Sequence, residues 1–120
     1  HIRRVLGGRF VTHRYKSQLK GQTMRGHALL GHDLARGKFI ASWSDSCHNG
    51  TTIMNSVQDR DPETNAFSVL GHYPDGQGGP DWGWRTEYRI EGDDKLTVRH
   101  FNIPPKTGEA LAVEIKYTRA

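Results

Sequence analysis

Cys47 is the one cysteine among 120 residues, so an internal disulfide framework and a zinc site built on cysteines are both excluded. That favours a reducing, cytoplasmic compartment. No run approaches the roughly eighteen consecutive apolar residues of a membrane-spanning helix, and no charged start leads into the apolar block of a secretory signal. The chain reads as soluble, with no membrane partner. It opens on His1 rather than Met, as a processed product, a fragment or the visible part of something longer would, and an upstream secretory signal stays open. No helix-period stretch with caps occurs inside it. Its apolar share is low, 34%, which suits a sheet with one dry face.

The charge is equally short of pattern. A formal +4 comes from 17 basic and 13 acidic residues. The basic ones read as scattered, with Arg3, Arg4, Arg9 and Arg14 early and Lys95, Arg99, Lys116 and Arg119 late. Nucleic-acid binders gather such charge on one face or run, often between stacking aromatics. A solvated surface is the better reading, and no nucleic-acid partner is expected.

What the chain does have is alternation. Trp82, Trp84, Thr86, Tyr88 and Ile90 are set against Gly83, Arg85, Glu87 and Arg89. Side chains point to opposite faces along an extended strand, so this run can bury one face and wet the other. Similar stretches start at residues 9–19 and 24–33. Phe39, Ala41, Trp43 and Asp45 then share a face, as do Thr51, Ile53, Asn55 and Val57. Phe67 to Tyr73, the tryptophan run, Leu96 to His100 and Leu111 to Tyr117 complete the set. Between them lie turn signals: Gly21, the hairpin loop Asp33-Leu34-Ala35-Arg36-Gly37-Lys38, His48-Asn49-Gly50, the breaker-rich residues 59–65, the glycine-rich residues 75–80 and Gly92-Asp93-Asp94. The 75–80 loop reads as the most flexible, a mobile gate at a rim.

These connections are too short for the crossovers of parallel strands, so neighbours pair antiparallel. The predicted fold is all-β, an up-and-down meander of about eight strands in a single domain spanning residues 1–120. Closing such a meander into a β-barrel removes its edges.

The segments Leu6-Gly7-Gly8-Arg9-Phe10-Val11, Gly26, Leu30-Gly31-His32-Asp33, Phe39-Ile40-Ala41-Ser42-Trp43-Ser44-Asp45-Ser46 and Glu114-Ile115-Lys116-Tyr117-Thr118-Arg119 together resemble the bacterial DUF1579 family, whose activity is uncharacterised. The resemblance covers essentially the whole chain. It implies a calycin-like or lipocalin-like β-barrel. Family members usually carry a further tryptophan-containing strand ahead of the Gly-Gly region. Without it, the resemblance implies a barrel incompletely closed between its first and last strands, or one whose gap a neighbouring copy covers as a homo-oligomer.

Asp45 shares parity with Trp43 and Ala41. As a structural residue it ties down the turn at residues 46–50, since short polar side chains favour such local bonds; as a functional one it orients a ligand or moves a proton. Arg85, Arg99, His100 and Tyr88 are its candidate partners. The seven histidines lack any His-x-His or His-Glu-x-x-His spacing, so no metal ligands are assigned. A haem ligand at His100 or His27 rests on fold-level analogy alone. Cys47 and His48 are adjacent in an extended stretch and point apart, unlike a catalytic pair. Ser17-Gln18-Leu19-Lys20, Ser44-Asp45-Ser46 and Lys106-Thr107-Gly108 mimic serine β-lactamase motifs, yet Ser17 opens no helix, so the match is coincidental. The rings of Trp43, Tyr73, Trp82, Trp84 and Tyr88 are core material or the wall of a cavity.

The sequence thus supports a barrel binding a small, partly apolar molecule, with Trp43, Trp84 and Tyr88 lining the site and Asp45, Arg85 or His100 fixing orientation. No cofactor is assigned. The competing readings are an enzyme using Asp45 and His100 as acid and base, a haem-binding barrel, and a filled barrel that assembles through its edge.

Overall fold

Alternation without helix period leaves the backbone one way to satisfy its hydrogen bonds, which is pairing between strands. The structure, a computed structural model, describes residues 1–47 and 51–118, and every regular element in them is a strand. These are β1 (Ile2–Val5), β2 (Phe10–Leu19), β3 (Gln22–Asp33), β4 (Lys38–Asp45), β5 (Met54–Gln58), β6 (Ala66–Tyr73), β7 (Trp82–Ile90), β8 (Lys95–Ile103) and β9 (Ala110–Thr118). Their order in the sheet is their order in the chain. Every described pairing is antiparallel. The all-β, up-and-down meander read from the alternation is therefore the observed fold, with nine strands and with β1 and β9 at the ends of the order.

The strand missing from the sequence reading is β1. Four residues with Arg3 and Arg4 at their centre carry too little alternation to declare a strand. Pairing with β2 makes it one, Ile2 opposite His13 and Val5 opposite Phe10. The turn between them uses left-handed backbone at Leu6, Gly7 and Gly8, with φ of 53°, 72° and 80°. Two of those three residues are glycines, which take that region freely.

Contacts divide the chain into two compact units, His1–Ser56 and Val57–Ala120. In the first, β1 to β4 bury Thr12, His13, Ala28 and Leu30, and Met54 at the start of β5 is buried too. The β3–β4 hairpin closes as its sequence suggested. Gly37 N–H donates to the Asp33 carbonyl at 2.7 Å, and the Asp33 carboxylate holds both the backbone and the guanidinium of Arg36. In and just before β5 the set Ile53, Asn55 and Val57 is the exposed one, while Met54 and Ser56 are buried. Shifting strand phase by one residue exchanges the faces, and burial within the sheet decides the phase that apolar content alone left open.

In the second unit β6 to β9 bury Val69, Tyr88 and Val98 on one face and Ser68, Arg85 and Thr97 on the other. Connecting segments serve the polar face. The Ser68 hydroxyl donates to Asp59 at 2.6 Å, and Glu63 meets Arg89 at 2.8 Å. The loop at residues 75–80 is organised around Asp75, whose carboxylate accepts the N–H groups of Gln77 and Gly79. The His48-Asn49-Gly50 turn signal, the Cys47–His48 pair and Arg119 of the terminal motif fall wholly or partly outside the described residues.

Candidate functional site

Period-two alternation in β6, β7 and β8 leaves one face of the three strands without formal charge. Phe67, Val69, Gly71 and Tyr73 stand opposite Tyr88, Thr86, Trp84 and Trp82. The last of these strands adds Val98, His100 and Asn102 against Tyr88, Thr86 and Trp84. No position on this face of the three strands carries Asp, Glu, Lys or Arg. All the charges of these strands stand on the other.

On the uncharged face, Trp84 and His100 stack at 5.1 Å between ring centroids, with 19° between their planes. Tyr73 packs against both Trp82 and Trp84, and its hydroxyl donates to Asn102 Oδ1 at 2.6 Å. Phe67 stacks on Tyr88 at 5.3 Å. Tyr88 is buried, whereas Tyr73, Trp82, Trp84 and His100 keep part of their surface open. Burial lowers the His100 pKa to about 4, so the ring is neutral near pH 7. Its Nδ1 lies 2.9 Å from the Thr86 hydroxyl. The same cause pushes the Tyr73 phenol up. A β-bulge between β8 and β9 falls at His100 and Phe101. Such irregularities re-aim side chains and recur beside functional sites.

Of the residues singled out in the sequence, Trp84, Tyr88 and His100 thus come together on one face. Arg85 does not join them. Its guanidinium is 3% exposed on the opposite face, forked onto Glu109 by bonds of 2.9 and 2.6 Å and seated 4.1 Å over the Phe101 ring. That arrangement holds the Glu109 carboxyl below its ordinary range.

Trp43 and Asp45 belong to the first unit. Trp43 Nε1 donates to the Tyr15 hydroxyl at 3.1 Å, and Asp45 Oδ1 accepts the Cys47 N–H at 2.8 Å. The latter is the local turn bond expected of a structural Asp in this position.

A groove of about 630 Å³ also lies in the first unit, across β2, β3 and β4. Its lining includes three successive cross-strand rows: Arg14, His27 and Ser44; Tyr15, Gly26 and Asp45; Lys16 and Arg25. The outer rows share one face and the middle row points to the other, so the groove runs over the backbone of the middle row between two rows of side chains. The His27 ring is held by the Thr12 hydroxyl at 2.6 Å. Ser46 locks the end of the Lys16 and Arg25 row by bonding both backbone groups of Arg25.

The family model described as a protein of unknown function, DUF1579, matches residues 1–119. The chain belongs to the DUF1579 family. No curated protein and no solved structure matches it.

This DUF1579 protein partitions its charge in a way that counting over the whole chain concealed. The first unit has nine Lys and Arg against Asp33 and Asp45 alone, a formal +7; the second has eight against eleven, a formal −3. The signal was present in the sequence, because the first acidic residue is Asp33. Among the described residues no group of three or more His, Cys, Asp or Glu is placed to hold a metal ion.

Proposed function

We propose that this DUF1579 protein binds a small, partly apolar molecule against the uncharged face of β6 to β8. The observation that carries the reading is the half-open aromatic surface of Tyr73, Trp82, Trp84 and His100, free of formal charge and bordered by the polar groups of Thr86 and Asn102. Small-molecule sites have this composition, mostly rings and aliphatic carbon with a few placed polar atoms. Trp84 and the neutral His100 offer a flat contact for a planar or ring-bearing ligand, and Tyr88 with Phe67 backs that surface.

Native mass spectrometry of the chain purified without denaturation tests this, followed by titration with Nile red as a neutral apolar probe. The expected result is a retained small molecule or saturable dye binding, weakened about tenfold or more by Trp84→Ala. A bare chain that takes up no dye, or dye binding indifferent to Trp84, removes the proposal.

A further inference from the structure

Cross-strand neighbours in a sheet favour opposite charges and are destabilised by like ones. The second unit obeys this rule. Glu87, Arg99 and Glu114 form one row of alternating sign, with Arg99 bonded to Glu114 at 2.7 Å and near Glu87 at 3.3 Å. The first unit breaks it at one pair. Lys16 stands directly opposite Arg25, and neither that row nor the row of Arg14 and His27 holds a carboxylate. Partners so placed have Cα atoms about 5 Å apart. Among the described residues Arg14, Lys16 and Arg25 make no ion pair, although Arg85, Arg89 and Arg99 all do. The two rows flank the 630 Å³ groove in a unit of formal charge +7. A local rule broken without compensation marks a place where something else supplies the missing partner.

We infer that the groove over β2 to β4 binds the phosphate or sulfate group of a small molecule. Arg14, Lys16 and Arg25 supply charge-assisted donors, and Ser44 with the ring of His27, fixed by Thr12, supplies further polar contacts. The groove is of small-molecule size, and the Tyr15 ring faces away from it, so it lacks the stacking surface that a nucleic-acid strand uses. This site is separate from the aromatic face of β6 to β8 and stands without it.

The test is a titration of the ¹⁵N-labelled chain with sodium phosphate, with ionic strength held constant by chloride. Saturable shifts at residues 14–16, 25–27 and 44–46 are expected, together with a melting temperature that rises with phosphate. Glycerol 3-phosphate is expected to bind at least as well as phosphate. Lys16→Gln and Arg25→Gln should each weaken binding about tenfold or more while leaving the phosphate-free protein as stable as before or more so. That second readout separates lost binding from lost folding. Shifts that chloride reproduces, binding that survives both substitutions, a groove that refuses glycerol 3-phosphate, or an oligonucleotide that binds more tightly than glycerol 3-phosphate overturns the inference.

Discussion

The ring of Tyr15 lies across the backbone of its cross-strand partner Gly26, so closely that a β-carbon at position 26 would overlap it. The missing side chain lets Tyr15 reach over β3 to accept the Trp43 indole hydrogen bond. Gly26→Ala must displace that ring and break the contact, and its expected cost is about 1–3 kcal/mol. Tyr15→Phe keeps the ring and loses the hydroxyl that accepts from Trp43, for about 1 kcal/mol. Denaturant midpoints of the two variants check the order: a Gly26→Ala variant as stable as the parent would show that the ring is not held there.

Arg85 and Glu109 form a forked ion pair in the second unit, and the two partners are not equivalent. Arg85 is enclosed and Glu109 is about a third exposed. Removing the carboxylate leaves a charge that water reaches poorly with only the longer contact to Glu87 at 3.9 Å, so Glu109→Ala should cost about 1–3 kcal/mol, less than breaking a fully buried pair because Glu109 itself is partly wet. Arg85→Met, which keeps the aliphatic stem against Phe101, should cost less than Arg85→Ala. Equal losses in the two Arg85 variants, measured by urea unfolding, would show that packing on Phe101 contributes nothing.

Asp75 bonds the N–H groups of Gln77 and Gly79, and the approach of its carboxylate leaves no room for a β-carbon at Gly79. A loop that glycine content marks as mobile is thereby given one anchored conformation. Asp75→Ala should leave global stability within about 1 kcal/mol and selectively speed amide exchange and proteolysis at residues 75–80. Unchanged exchange there would mean that the carboxylate does not order the loop.

The meander was legible because period-two alternation and turn residues are local signals, and β2 to β9 each carry enough of both. Strand β1 was not, since Ile2-Arg3-Arg4-Val5 becomes a strand only through β2. The grouping of Trp84, Tyr88 and His100 followed from parity and register. The fate of Arg85 did not, because its partner Glu109 is 24 residues away on a connection whose path no local pattern encodes. The cationic rows were half legible: the absence of acid before Asp33 could be read directly, but that Lys16 meets Arg25 required the register of the hairpin.

His100 ties the aromatic face to pH. Its folded pKa of about 4 lies below the ordinary 6.5, so between those values the unfolded chain takes up a proton that the folded one refuses. Its contribution is fully present above about pH 6.5 and is lost as pH falls toward 4, a loss on the order of 3 kcal/mol in full. Glu109 acts in the same direction but lower, since a depressed carboxyl loses its contribution only as pH falls below the ordinary glutamate value of 4.5. Of these two groups only the imidazole titrates between pH 6.5 and 5, so its share of the acid sensitivity there is separable from that of the ion pair. Guanidinium unfolding of the parent and of His100→Gln at pH 7.0 and 5.0 separates them: the parent should weaken over that interval and the variant much less. Parallel losses in the two proteins would place the titrating group elsewhere.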